Sequence, residues 1–293
     1  MDDALSPLEI RRQADMEANE AAVAHAGPNL LSARPADNPG PLVFQYRVLK
    51  SLVLRNMAST YGESRLGYLM GILLPLFTIT ILMLAFSLRG KTIPADFSMG
   101  AFIVTGYPLW QAFQGMYSKV LASASRSDAL LMFPQITQLD LIFATIILEI
   151  ATNTVVYFLM VVGVLVVFQE APPDDPVGVM MVYWACGWIG AGLGLVLSGM
   201  QRLVPTMVTV INAFMRFGMW VSGVIFSVSR LPPYTWPYLK WNPILHCTEG
   251  ARHLWKPTFE APIFDPVYIL SAGFVLTVTG LMVERLTRRF VGP

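Results

Sequence analysis

His246, Glu249 and His253 stand at i, i+3 and i+7, so one face of a helix presents two imidazoles and a carboxylate, the ligand types zinc accepts. Three such residues on a short helix form a loose pattern that more often arises by chance, and neither a metal site nor a catalytic residue is assigned. Glu149 and Arg216 are the ionisable residues deepest within their apolar runs, each with an asparagine one turn away, Asn153 and Asn212. Such groups are costly in hydrocarbon and face an interior, a partner or water. Each run therefore carries a polar stripe that either lines a hydrated pathway or fixes helix packing, with no Glu149–Arg216 pair assigned. Trp110, Phe113 and Tyr117, and Phe214 and Trp220 beside Arg216, place aromatics along two apolar runs, where they stack on sugar rings or fill space between helices. Gly90-Lys91-Thr92 resembles the end of a phosphate-binding loop. Ala85 stands where that motif needs glycine, and an apolar helix rather than a strand precedes it, so no nucleotide site is assigned. Cys186 and Cys247 lie far apart in sequence without framework spacing and are expected as small, half-buried thiols.

The elements that hold these residues follow from composition. Of 293 residues 55% are hydrophobic and 13% charged, with a mean hydropathy of +0.55. A soluble domain carries roughly 25% charged residues, so this chain cannot cover a water-facing surface, and a bilayer is the solvent that suits it. The net charge of +1 gives no basic field for nucleic acid. Six apolar runs, residues 68–88, 100–121, 139–168, 177–199, 207–228 and 264–283, are each near or above the ~20 residues that cross the hydrocarbon core. The second is the most diluted, by Gln111, Gln114 and glycines. The expected fold is an all-α polytopic membrane protein of about six transmembrane helices.

Three segments depart from plain spans. Residues 1–40 are acidic and Ala-rich, end in Pro35 and Pro39, and lack a signal-peptide pattern; they are expected as a flexible cytoplasmic tail with a short helix near 6–24. Residues 41–64 carry Leu42, Tyr46, Leu49, Val53 and Met57 as an apolar stripe with Arg47, Lys50 and Arg55 off it, an amphipathic helix suited to the headgroup layer. Residues 229–262 are cut by prolines into pieces too short to span. A helix over 244–255 with flanking tryptophans then predicts a re-entrant or periplasmic helical hairpin before the last span. With the N-terminus inside, ten basic residues fall on the inner side, Lys119 and the Arg285, Arg288, Arg289 cluster among them, against six outside. Both termini are thus expected in the cytoplasm, and residues 123–137 form a compact cytoplasmic segment between spans two and three.

Residues 52–75 (LVLRNMASTYGESRLGYLMGILLP), 125–149 (SRSDALLMFPQITQLDLIFATIILE) and the Asn-Pro of 241–255 (WNPILHCTEGARHLW) together resemble the permeases of type-two ABC exporters, in particular the capsular polysaccharide (KpsM-like) exporters. The resemblance covers most of 52–290 in order and makes 65–293 the transmembrane domain. It implies a multi-pass protein of the bacterial inner membrane that pairs with a second copy around a central conduit. Two copies of a cytosolic ATPase would dock below and bind the ATP and magnesium, leaving no cofactor in this chain. The cargo would be a lipid-linked, acidic polysaccharide, with periplasmic or outer-membrane export partners beyond. The ATPase-coupling role falls on Arg126, Asp128, Leu131, Phe133, Pro134 and Gln135. Interface and lipid-side gate roles fall on Arg55, Tyr61, Ser64, Arg65 and Gly67. The substrate-contact candidates are Arg55, Arg65, Trp110, Tyr117, Arg216 and Trp220; guanidinium groups at the inner headgroup level bind phosphate bidentately. O-antigen, teichoic acid or another amphiphile is the alternative cargo. An intramembrane enzyme on lipid-linked sugars, resting on His246, Glu249 and His253, is the alternative class.

Overall fold

A computed structural model describes residues 41–61, 65–89, 97–125 and 137–291, and among these every regular element is helical. The expected tail, residues 1–40, lies outside the described residues. The chain divides at Arg47–Val48 into two units, Met1–Arg47 and Val48–Pro293. Of the first, only the opening of helix α1 (Pro41–Tyr61) is described. Everything below concerns the second.

From Val48 onward α1 keeps Lys50 and Arg55 exposed and buries Leu52 against Leu141 and Ala144 of α5 (Gln138–Val167). Asn56 donates to the Thr145 hydroxyl at 3.2 Å, so the basic helix is tied to the N-terminal part of α5. Helix α2 (Arg65–Arg89) carries Pro75 in its interior, where the ring removes one backbone hydrogen bond. The run expected over 100–121 is broken at Thr105–Gly106 into α3 (Met99–Val104) and α4 (Tyr107–Ser125). Thr105 turns its hydroxyl back to the Ala101 carbonyl at 2.7 Å. A Cβ on Gly106 would lie 3.2 Å from both an Arg252 nitrogen and the Val224 carbonyl, so the break is where three segments crowd together.

Helix α5 opens with a capping box in which Thr137 and Asp140 satisfy each other's backbone N–H groups. Asp175 caps α6 (Pro176–Leu203), whose first residue is proline, and only Val204 separates its end from α7 (Pro205–Val221). Two 3-10 turns (Val228–Arg230, Pro233–Thr235) and the short α8 (Trp236–Leu239) lead to α9 (Pro243–Trp255) and the final α10 (Pro266–Val291).

Helix α6 is the hub, packing most extensively on α10 and α4. Its glycines make this close approach feasible. A Cβ on Gly190 would meet the Phe113 carbonyl oxygen at 2.4 Å, and one on Gly194 would meet Val120 at 2.8 Å. On the other side, Gly192 and Gly199 face Leu276 and Val283 of α10 at 2.8 and 2.6 Å, while Gly280 of α10 faces Leu195 at 2.5 Å. Small residues let backbones pack where lipid gives no hydrophobic push between helices.

Three helical segments, Gln138–Val167, Pro176–Leu203 and Pro266–Thr287, are long and apolar enough to cross a membrane. They match the third, fourth and sixth runs. Helix α7 stops at Val221 rather than 228, because Ser222–Val228 leaves the helix to bond with α9. Its 17 residues span about 25 Å.

Candidate functional site

The deep carboxylate of α5 has a partner that sequence reasoning missed. Lys119 of α4 meets Glu149 at 2.5 Å, and Asn153 donates to the other Glu149 oxygen at 2.8 Å. Helix α4 continues to Ser125 and carries Lys119 along the α5 face. The signal was the isolated acid itself, which needs a counter-charge at membrane depth. Gly115 lets α4 come this close, since its Cβ would stand 3.2 Å from Glu149 Oε1. The Glu149 carboxylate is nearly buried while the lysine is 41% exposed, so the pair sits at the edge of a recess rather than inside a dry core.

That recess has a volume of about 210 Å³ and lies between α2, α4, α5 and α6. Pro75, Gln111, Lys119, Glu149, Asn153 and Tyr157 are among its walls. The Tyr157 ring stacks on Tyr183 of α6 with centroids 4.1 Å apart and 4° between planes, and the Tyr183 hydroxyl donates to the Asn153 carbonyl at 3.0 Å. The Tyr157 hydroxyl is buried without a hydrogen-bond partner.

A second buried polar centre fastens the hairpin. Arg252 and Glu249 of α9 are fully buried and paired at 2.9 Å. The guanidinium also donates to the carbonyls of Gly223 at 2.6 Å and Phe226 at 3.0 Å, and lies 3.9 Å over the Phe102 ring of α3. Glu249 accepts from the Val228 N–H at 3.3 Å. One arginine thus joins the unwound end of α7, the α3–α4 break and α9. Desolvation pushes the Glu249 carboxyl up, and Arg252 with the Val228 N–H and Ser227 hydroxyl pulls it back down. Asn242 caps α9 by accepting from Ile244 N–H at 3.0 Å while its amide donates to Val221 O at 3.3 Å, which gives the Asn-Pro pair its structural task. At the far end, the Asp174 and Asp175 N–H groups donate to the carbonyls of Trp255 and Leu254, each at 3.1 Å.

The three residues with metal-ligand spacing do not converge. His246 Nε2 meets the Lys240 carbonyl at 2.8 Å and its Nδ1 accepts from Asp265 N–H at 3.2 Å, while His253 Nδ1 meets the Phe259 carbonyl at 3.0 Å. Glu249 is held by Arg252, and no group of three His, Cys, Asp or Glu suited to a metal is found among the described residues. Cys186 and Cys247 are free and both fully buried rather than half-buried. The Cys186 thiol donates to the Leu109 carbonyl at 3.3 Å.

Of the substrate-contact candidates, Arg55 is exposed on α1 and Trp220 is 55% exposed on α7. Trp110 and Tyr117 are buried in the aromatic row with Phe113, and the Trp110 ring fills the space over Gly218 of α7. Within this chain they pack. The side chains of Arg65 and Arg216 lie outside the described residues, as do Arg126, Asp128, Leu131, Phe133, Pro134 and Gln135 of the coupling segment.

A helical membrane domain of this kind, with a basic helix ahead of its first apolar helix and a buried hairpin before its last, matches a known family. Residues 47–255 match the model of the ABC-2 type transporter membrane domain, and the chain belongs to that family. It is therefore a transport component rather than an enzyme, and nucleotide hydrolysis belongs to a separate ATPase subunit. Its relatives include the capsule polysaccharide export inner-membrane protein CtrC of Neisseria meningitidis, 26% identical over 252 residues, covering 86% of this chain and 95% of that protein. BexB of Haemophilus influenzae, named for the same export, is 28% identical over 254 residues, covering 86% and 95%. The polysialic acid transport protein KpsM of Escherichia coli is 24% identical over 238 residues, covering 81% and 92%.

Proposed function

We propose that the chain is the permease of an exporter that moves a lipid-linked capsular polysaccharide across the inner membrane. The observation that carries this is the near full-length match to three separately named relatives, each described as a capsule polysaccharide or polysialic acid transport protein. Two copies enclose the conduit at their seam, because one protomer packs its centre with α6 and leaves no room there for a polymer. Both termini face the cytoplasm. All six apolar runs cross or enter the membrane, with α3–α4 and α7 as the broken and short members. Residues 1–40 form a tail, 41–64 the interface helix and 65–293 the transmembrane domain.

In this reading Arg55, Arg65 and Arg216 attract the anionic lipid anchor or glycan, and Trp220 offers aromatic surface along the path, while Trp110 and Tyr117 are buried. The Arg126–Gln135 segment receives the ATPase stroke. Purification from native membranes tests the reading. A nucleotide-binding subunit should accompany the chain in stoichiometric amount, and its ATP hydrolysis should rise when lipid-linked glycan is added. Isolation without such a subunit, or hydrolysis indifferent to glycan, defeats it.

A further inference from the structure

We propose that the stretch Tyr234–Trp241 anchors the hairpin in the lipid headgroup layer, on the leaflet at the N-terminal end of α10. Tyr234, Tyr238 and Trp241 are 76%, 81% and 74% exposed and stand at i, i+4 and i+7, along one side of the second 3-10 turn and α8. The other side packs. Trp236 and Leu239 lie against Val228, Leu245 and Ile263, and the Trp236 N–H donates to the Leu231 carbonyl at 3.2 Å. The backbone beneath the outward row is fastened at its end. The Lys240 carbonyl meets His246 Nε2 at 2.8 Å, and the Trp241 carbonyl accepts from the Tyr268 hydroxyl at 2.8 Å. Three large aromatics are thus held outward on a fixed frame, an arrangement that is costly against water.

Their height and chemistry favour lipid. Helix α10 is long and apolar enough to cross a membrane, and Val267, Leu270 and Phe274 turn outward along its first turns. The span starts beside Asp265, an exposed carboxylate that accepts from the Val267 N–H at 2.9 Å and marks the water side. The Tyr268–Trp241 bond then places the end of the row within one helical turn of that boundary, about 5 Å along the axis. At this height the bilayer surrounds the protein, so lipid is the partner always present. Tyrosine and tryptophan suit the level, because the ring enters the acyl boundary while the O–H or N–H bonds a headgroup oxygen. Lys240, exposed between Tyr238 and Trp241, adds an ammonium at phosphate height. The hairpin therefore has two unlike halves, with α8 seated in the leaflet and Ile244–Arg252 of α9 buried in protein. Any shift of α9 must drag the aromatic row through the headgroups. This goes beyond the export reading and does not depend on it, since the anchor holds for any cargo.

Spin labelling of the full chain in phosphatidylcholine nanodiscs tests the anchor. Both native cysteines are fully buried, so a nitroxide reagent reaches only the new thiol in Tyr234→Cys, Tyr238→Cys or Trp241→Cys. All three labels should collide more often with oxygen than with a water-soluble nickel chelate, at depths within about 10 Å of the headgroup boundary. In the unlabelled chain, Trp241→Phe should remove fluorescence that is quenched by lipids brominated just below the headgroup. That second readout keeps the test open if a label disturbs folding. Nickel collisions prevailing at Tyr238→Cys, or quenching that Trp241→Phe leaves unchanged, overturns the anchor. Spin–spin broadening would assign the row to a second copy, and shielding from nickel by added maltohexaose would assign it to sugar; either outcome overturns it as well. None of these results touches the export reading, which fails or stands on its own co-purification and hydrolysis.

Discussion

Arg252 shows what one side chain can fasten. Its guanidinium joins Glu249, two carbonyls beyond α7 and the Phe102 ring, all in a fully buried position. Arg252→Met should therefore cost about 3–5 kcal/mol of stability, because it leaves Glu249 buried without its counter-charge and frees the two carbonyls. The double change with Glu249→Gln should recover part of that loss, and thermal unfolding in detergent measures both. His246 makes the hairpin sensitive to acid. Burial holds its pKa below the ordinary 6.5, against the opposing pull of the Lys240 carbonyl and Asp265. A depressed histidine adds stability that is complete above the unfolded pKa and is lost as pH falls through the folded one. Amide exchange at Asp265, whose N–H donates to His246, should accelerate as pH drops below about 6 relative to the intrinsic rate, and His246→Gln should flatten that response. On the exposed face of α1, Arg55→Ala should lower surface polysaccharide while insertion into the membrane is unchanged. Cell-surface staining beside membrane fractionation measures this, and normal display would remove Arg55 from substrate contact.

At the scale of elements, the glycines of α6 set the spacing of the bundle. A methyl group at Gly190 would strike a backbone oxygen that cannot swing aside, so Gly190→Ala should destabilise by about 1–3 kcal/mol. Gly163 of α5 has nothing within 4 Å of a Cβ, and Gly163→Ala should be neutral or stabilising by up to about 1 kcal/mol. Melting temperatures of the two variants give the contrast directly. The helices that were legible in the chain are those whose apolar runs are uninterrupted, α5, α6 and α10, together with α9 between its prolines. The break at Thr105–Gly106 was not legible, because a threonine and a glycine inside an apolar run carry no stop signal of their own. It forms there because Arg252 arrives from a segment nearly 150 residues later. The early end of α7 has the same origin. Ser222–Val228 is apolar enough to continue the helix, yet the Gly223 and Phe226 carbonyls are taken by that arginine. The Lys119–Glu149 pair was not legible for a related reason, since the two residues stand thirty positions apart on different helices. The partners of His246 and His253 were likewise unreadable, because they are backbone atoms of the loops on either side of α9.

Across the whole molecule, α2 and α7 turn large apolar side chains outward, Leu74, Phe77, Phe214 and Phe217 among them. In the proposed assembly these faces meet lipid or a second copy. Light scattering of the purified complex should return two permease and two ATPase subunits, and a single permease per particle would contradict the paired conduit. The central position of α6 has one more consequence, which concerns the order of synthesis. Gly192 and Gly199 are covered by α10, whose contact residues leave the ribosome some eighty positions later. Until then the hub has one bare flank, so the bundle cannot close during translation and must wait for its C-terminal helix. The final segment is thus the keystone of biogenesis, and a nascent chain stopped before Pro266 remains exposed to membrane quality control.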